Sequence, residues 1–106
     1  YINACAHITG GGLVENLLRS VPEKFSVKID LSKIKVKRIF KWIKSKNISD
    51  KEMLNTFNCG VGFCLIVPKK NVKKITSFFS KEYLPYEIGK ITNSSKKIDL
   101  LNSLKW

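Results

Sequence analysis

Alternating apolar and polar positions predict several strands. The first, Ile2 to Ile8, has apolar side chains at every second position. The alternation from Phe25 to Leu31 is the clearest half-buried strand. Val61 to Val67 is almost continuously apolar, which predicts a strand covered on both faces. We expect a further strand around Gly89 and a short final strand or helix at Ile98 to Leu101.

Helical spacing of apolar residues predicts four helices between these strands. The first begins at Leu13 and ends before Pro22, because proline disfavours helix at the residue before it. The second follows Val36, and its aromatic residues are predicted to lie in the core. The third begins at a capping box formed by Ser49 and Glu52, and the fourth begins at Val72. The total is about four or five strands and four helices, with crossover helices between several strands.

Gly10, Gly11 and Gly12 stand between the first strand and the first helix. Three glycines weaken either element, so they need a positional reason. One reason is close approach of the backbone to a ligand, because N–H groups at such a loop bind anions, usually phosphate. The loop lacks the Gly-Lys-Ser/Thr of a Walker A motif, and Glu15 replaces the last glycine of a dinucleotide fingerprint. A tight strand-to-helix turn explains the glycines equally well.

Composition limits the classes of protein that are possible. The 106 residues can form one domain with a modest core. The net charge is +12 at pH 7, which is typical of proteins that bind nucleic acid or anionic membranes. Only Arg19 and Arg38 are arginine, however, and the abundance of lysine, isoleucine and asparagine suits a genome poor in G and C. Phosphate and base recognition favour the bidentate arginine side chain, so neither partner is predicted.

The three cysteines, Cys5, Cys59 and Cys64, lie in apolar surroundings and form no C-x-x-C pair. Because His7 is the only histidine, no zinc site is predicted. No secretory signal or run of about 18 apolar residues is present. We therefore expect buried, reduced thiols in a cytoplasmic protein without a membrane segment.

Three segments carry a resemblance to a known family. The first is Ala6 to Leu13, with the sequence AHITGGGL, followed by Glu15, Asn16 and Arg19. The second is EMLNTFNCGVG at residues 52–62, and the third is Ile-Gly-Lys-Ile at residues 88–91. In order and spacing they closely resemble phosphoribosylformylglycinamidine cyclo-ligase, the aminoimidazole ribonucleotide synthetase of purine biosynthesis. Leu18 and Phe63 depart from the usual proline and methionine of that family.

The resemblance implies an α+β fold in which helices pack on a mixed β-sheet. It makes residues 1–106 a single C-terminal domain, truncated at its start, of an enzyme that also has an N-terminal nucleotide-binding domain. Such enzymes are homodimers, mainly through that other domain. They use ATP and Mg²⁺ to close the imidazole ring of formylglycinamidine ribonucleotide. This domain is expected to line the interdomain cleft and to be inactive alone.

Candidate site residues follow from the first segment. With the family motif, His7 is expected to face the cleft as a hydrogen-bond donor or in proton transfer, whereas a lone strand histidine is otherwise structural. Thr9 is expected to cap the following helix or to bond a phosphate oxygen. Backbone donors at Gly10, Gly11 and Gly12 are expected to hold phosphate.

Two further candidates, Asn16 and Arg19, are predicted on the polar face of the first helix. Arg19 could bind an anion or pair with Glu15 four residues earlier. Residues 58–62, the Asn-Cys-Gly-Val-Gly segment, are interpreted first as a tight turn before a strand.

Two other functions were weighed against the cyclo-ligase. Residues 60–63 superficially resemble the RNP1 strand of RNA-recognition domains, but Cys59, Val61 and Ile66 occupy its basic and stacking positions. A related ATP-using enzyme with another small substrate has the same expected fold, and the complete AHITGGGL segment favours the cyclo-ligase.

Overall fold

The computed structural model describes all 106 residues, from Tyr1 to Trp106. It confirms the predicted α+β class, with five strands and four α-helices. The final apolar segment, residues 98–101, is a strand. The strands are β1 (Ala4–His7), β2 (Ser26–Asp30), β3 (Phe63–Ile66), β4 (Gly89–Thr92) and β5 (Ile98–Leu101). The helices are α1 (Gly12–Leu18), α2 (Arg38–Lys44), α3 (Asp50–Thr56) and α4 (Val72–Thr76).

The strands form two sheets. β1 pairs antiparallel with β3, which places Ala6 opposite Cys64 and His7 opposite Phe63. In the other sheet, β2 lies between antiparallel β4 and parallel β5. The mixed sheet is therefore the three-stranded one. No strand pairs with its neighbour in sequence, and only β2 and β5 have the parallel arrangement that a crossover produces.

The core lies between the two sheets and helices α1 and α3. Ile8, Leu13, Ile29 and Met53 are almost completely buried in one apolar cluster. Gly12 allows α1 to approach α3, because a Cβ atom at this position would overlap the carbonyl oxygen of Leu54. The start of α1, next to the glycines, is thus held directly against the core.

Helix α2 corrects one expectation about the core. Trp42 is 60% exposed and Ile39 is 56% exposed, although the helical pattern predicted core aromatics here. Only Phe40 among its aromatic residues packs against the cluster, with its ring 6.1 Å from that of Phe57. Ile43 also packs against the cluster, whereas Ile39 and Trp42 face outward.

Strand β3 corrects a second expectation. The apolar run from Val61 to Val67 predicted a strand covered on both faces, but Phe63 is 57% exposed. β3 pairs only with β1, and on the face that carries Phe63 the next residue, Leu65, is only partly buried. Continuous hydrophobicity here does not correspond to burial on both sides.

Helix α3 begins as the sequence predicted. The Ser49 hydroxyl accepts the N–H of Glu52 at 3.2 Å. Asp50 lies in the first turn, accepts a hydrogen bond from Nε1 of Trp106 at 3.0 Å and pairs with Lys44 at 3.3 Å. These contacts tie the last residue of the chain to α2 and α3.

The cysteines differ from one another in exposure. Cys59 and Cys64 are buried, as predicted, whereas Cys5 is exposed because its side chain lies on the outer face of β1. Burial raises the pKa of the Cys64 thiol to about 11. Burial, and then the nearby Asp50 carboxylate, raises the pKa of Cys59 to about 11. None of the helices is both long enough and apolar enough to cross a membrane.

Candidate functional site at the glycine loop

The glycine loop, residues 9–12, joins β1 to α1. The N–H of Gly12 donates to the carbonyl of Thr9 at 3.1 Å, and Gly11 has a φ of +98°, so the loop is a tight turn. The N–H groups of Gly10 and Gly11 have no hydrogen-bond partner in the chain. Thr9 and Gly10 are exposed. The turn is therefore structural and also presents two free backbone donors at the surface.

Asn16 holds this loop from within. Its side chain is buried, and Nδ2 lies 3.3 Å from the carbonyl oxygen of Thr9, 3.2 Å from that of Gly10 and 2.7 Å from that of Gly12. The prediction that Asn16 lies on the polar face of the helix is wrong. Its amide turns back toward the start of α1, where it donates to carbonyl groups of the loop.

Arg19 forms the ion pair that the sequence left as an alternative. Its Nη2 lies 2.6 Å from Oε1 of Glu15, and Nη1 lies 3.4 Å from Oδ1 of Asn16. The Glu15 carboxylate also lies against Gly11, where an added Cβ would overlap it. An anion at Gly11 would therefore require the Glu15 side chain to turn away, which would release Arg19 to meet the anion.

Thr9 and His7 face solvent near the loop. Thr9 does not cap α1, because Gly11 is the cap residue and no side chain bonds there. His7 lies on the outer face of β1, with its ring 5.9 Å from that of Phe63 on β3. The structure thus brings His7, Thr9 and the free donors to one exposed edge of the domain.

The end of the second sequence segment, residues 58–62, lies beside the loop. The N–H of Ile8 donates to the carbonyl of Gly62 at 3.0 Å. The Asn58 side chain accepts the N–H of Gly60 at 2.9 Å, and Gly60 has a φ of +112°. These contacts form the tight turn before β3 that the sequence predicted. The proximity of the two segments could not be inferred, because the pairing of β1 with β3 brings them together.

No three His, Cys, Asp or Glu side chains are grouped closely enough to hold a metal ion. The loop thus offers backbone donors, a threonine hydroxyl and an arginine, which suit phosphate oxygens and not a cation.

Comparison with known proteins agrees with these local features. Residues 1–100 match the family described as AIR synthase related protein, C-terminal domain. The chain belongs to this family. Within this AIR synthase-related domain, the glycine loop and the turn at residues 58–62 both fall inside the matched region.

Three relatives show how similar this AIR synthase-related domain is to known proteins. It is 44% identical over 92 residues to phosphoribosylformylglycinamidine cyclo-ligase of Staphylococcus epidermidis, covering 85% of this chain and 27% of the relative. It is 38% identical over 104 residues to the cyclo-ligase of Staphylococcus carnosus, covering 96% of this chain and 30% of the relative. It is 40% identical over 97 residues to the trifunctional purine biosynthetic protein adenosine-3 of Gallus gallus, covering 91% and 10%. The match thus spans less than a third of each relative.

Proposed function

We propose that this domain forms one wall of the ligand cleft in an ATP-dependent cyclo-ligase of purine biosynthesis. The enzyme would convert formylglycinamidine ribonucleotide to aminoimidazole ribonucleotide in the cytoplasm. The observation that carries the proposal is the family match over residues 1–100, which includes the intact AHITGGGL segment. Two of the three relatives described above are named cyclo-ligases.

ATP, when bound, supplies the phosphoryl group that converts the amide-type oxygen of the substrate into a phosphate leaving group. The chain's own contribution is to hold the phosphoryl oxygens. The free N–H groups of Gly10 and Gly11 fit this task, since donors already fixed in place stabilise developing charge without reorganisation. Backbone donors bind a phosphate of ATP and the phosphate of the substrate by the same chemistry. The proposal therefore includes both ligands.

The side chains around the loop have separate proposed roles. Thr9 donates its hydroxyl to the same phosphate, and His7 faces the ligand as a donor or proton carrier. Arg19 gives up its ion pair with Glu15 and binds an anion in its place. Asn16 is a positioning residue, because its buried amide contacts the loop carbonyls.

The residues of this chain do not fit Mg²⁺, because no carboxylate cluster is present. We place the contacts to the metal, the remaining ATP contacts and the homodimer interface in the nucleotide-binding domain of a longer enzyme.

The test is phosphate release from ATP by a longer protein that contains this chain, with and without formylglycinamidine ribonucleotide. Release that depends strictly on that substrate is expected. Release without it would contradict the proposed substrate. No release from a folded protein that binds ATP would favour a related enzyme with another substrate.

Gly10→Val tests the loop in the same assay. Gly10 is suitable because a Cβ there meets no atom within 4 Å, whereas Gly11 has a positive φ that any side chain would strain. The matched control is Gly62→Val, where the added Cβ also meets nothing within 4 Å. Loss of turnover in G10V alone is expected. Equal activity in the two variants would contradict the role of the loop.

A further inference from the structure

A cavity of about 360 Å³ lies elsewhere on the domain and shares no lining residue with the glycine loop. Three segments that are distant in sequence surround it. Lys35 and Lys37 precede α2, Gly60 belongs to the turn before β3, and the third segment, residues 81–86, precedes β4. The function proposed for the glycine loop therefore assigns no role to this cavity.

Specific contacts hold these segments together. The Tyr86 hydroxyl accepts the N–H of Lys35 at 3.0 Å, and Nζ of Lys35 lies 4.6 Å from the centre of the Tyr86 ring. Gly60 packs so closely that an added Cβ would lie 2.7 Å from the carbonyl oxygen of Lys35 and 3.1 Å from Cγ of Lys37. Contacts between distant segments therefore shape this surface cavity, whose lining residues are exposed except for Gly60.

The charge of the cavity is unbalanced. Lys35, Lys37 and Lys81 line it together with a single carboxylate, Glu82. The chain contains three ion pairs, and none of them involves these four side chains. Lysine side chains that line one concave surface without ion-pair partners raise the local concentration of anions, and lysine binds phosphate as a point charge.

The cavity also offers groups for the uncharged part of a ligand. Tyr86 accepts a hydrogen bond through its oxygen and makes no hydrogen bond as a donor, so its O–H proton is available. Leu84 is 48% exposed and Tyr86 is 38% exposed, which leaves apolar surface beside the lysines. The volume lies near the lower end of the range of about 300–1,000 Å³ that is usual for ligand sites.

We propose that this cavity binds a small phosphomonoester of sugar-phosphate size. The lysines hold the phosphate, the Tyr86 hydroxyl donates to it or to the sugar, and Leu84 contacts the carbon skeleton. The proposal rests on the cavity alone and stands whether or not the domain works in a cyclo-ligase.

Ribose 5-phosphate is the probe, titrated into the ¹⁵N-labelled chain at about 0.15 M salt so that weak surface attraction is screened. Saturable NMR shifts are expected at the amides of Lys35, Gly60 and Tyr86. Lys37→Ala and Lys81→Ala are each expected to weaken binding about tenfold, as is usual when a charged hydrogen bond is lost. Lys69→Ala and Lys73→Ala remove exposed lysines outside the cavity and are expected to change nothing.

Three results would overturn the proposal. The first is a shift that never saturates and spreads over lysines everywhere on the surface. The second is equal weakening by the Lys69 or Lys73 control. The third is equal binding of ribose or inorganic phosphate, since ribose lacks the anion and inorganic phosphate lacks the part that contacts Leu84. Gly10→Val is expected to leave the affinity unchanged, which separates this cavity from the glycine loop.

Discussion

At the scale of single residues, Asn16 determines the shape of the glycine loop. One buried amide contacts three carbonyl groups of the loop, those of Thr9, Gly10 and Gly12. A buried polar group that loses its partner costs more free energy than the hydrogen bond itself contributes. The loop's free N–H groups therefore depend on a residue that does not face the ligand.

Replacing Asn16 with alanine should lower the free energy of unfolding by about 2–3 kcal/mol, because it removes the side-chain hydrogen bonds that hold the loop and opens a small cavity. Urea unfolding at pH 7 measures the change. Asn93→Ala is the control, since Asn93 is exposed and makes no side-chain hydrogen bond, and its effect should stay within about 0.5 kcal/mol. Equal effects of the two variants would show that the Asn16 amide does not support the loop.

The cysteines should differ in reactivity toward iodoacetamide at pH 8. Cys5 is exposed and should react, whereas Cys59 and Cys64 should stay unmodified in the folded protein because they are buried and their pKa is raised to about 11. Mass spectrometry after digestion identifies the modified thiols. Fast labelling of Cys64 would contradict its burial in the core.

The same two thiols should make stability depend on alkaline pH. Their folded-state pKa of about 11 lies above the ordinary value of 9.0. The stabilising contribution of the buried neutral thiols is therefore present in full below pH 9.0. As the pH rises from 9.0 to about 11 the unfolded chain ionises first, and each thiol lowers the free energy of unfolding by at most about 1.4 kcal/mol per pH unit. Cys64→Ala should flatten this decline. Parallel curves for the wild type and C64A would contradict the expectation.

At the scale of elements, the contact between α1 and α3 decides which glycines are structural. Gly12 has a φ of +77°, and its missing side chain makes room for the backbone of Leu54. Gly10 has neither constraint. The three adjacent glycines are therefore not equivalent. Packing requires a glycine at position 12, whereas it leaves room for a side chain at position 10.

Gly12→Ala should destabilise the domain by about 3 kcal/mol or more, because the added methyl group overlaps backbone and the residue must keep a left-handed conformation. Gly10→Ala should have no more than a slight effect, since the site is open and alanine restricts the unfolded chain. Thermal unfolding followed by circular dichroism compares the two. Similar melting temperatures would mean that α1 and α3 can separate without cost.

At the scale of the whole molecule, charge opposes folding. The chain has 20 basic and 8 acidic residues, and its three ion pairs join partly or largely exposed side chains. Exposed pairs contribute little, whereas an excess of 12 positive charges repels itself in the compact state. Screening of this repulsion should stabilise the fold.

The melting temperature should therefore rise as NaCl increases from about 0.05 to 0.5 M, because the Debye length shortens from about 14 to about 4 Å. The control exchanges Lys73 and Lys74, both exposed on α4, for glutamate. Reversing these two charges should reduce the rise. A melting temperature that falls with salt would show that favourable ion pairs outweigh the repulsion.

Local features of the domain were predictable from the sequence. Alternation identified β2, the Ser49 box identified the start of α3, and the glycines identified the turn between β1 and α1. Each depends on a few neighbouring residues, because backbone period, capping and left-handed turns are local properties. The family resemblance likewise followed from short segments in a fixed order.

Tertiary structure alone decided how these elements meet. Two sheets formed instead of one, Cys5 and Phe63 faced outward, and Asn16 turned inward. The lysine-lined cavity depends on Lys35 bonding to Tyr86, which lies 51 residues away. The pattern of apolar and polar residues shows that the two faces of an element differ. Only the packing of distant segments determines which face is covered and which groups come together.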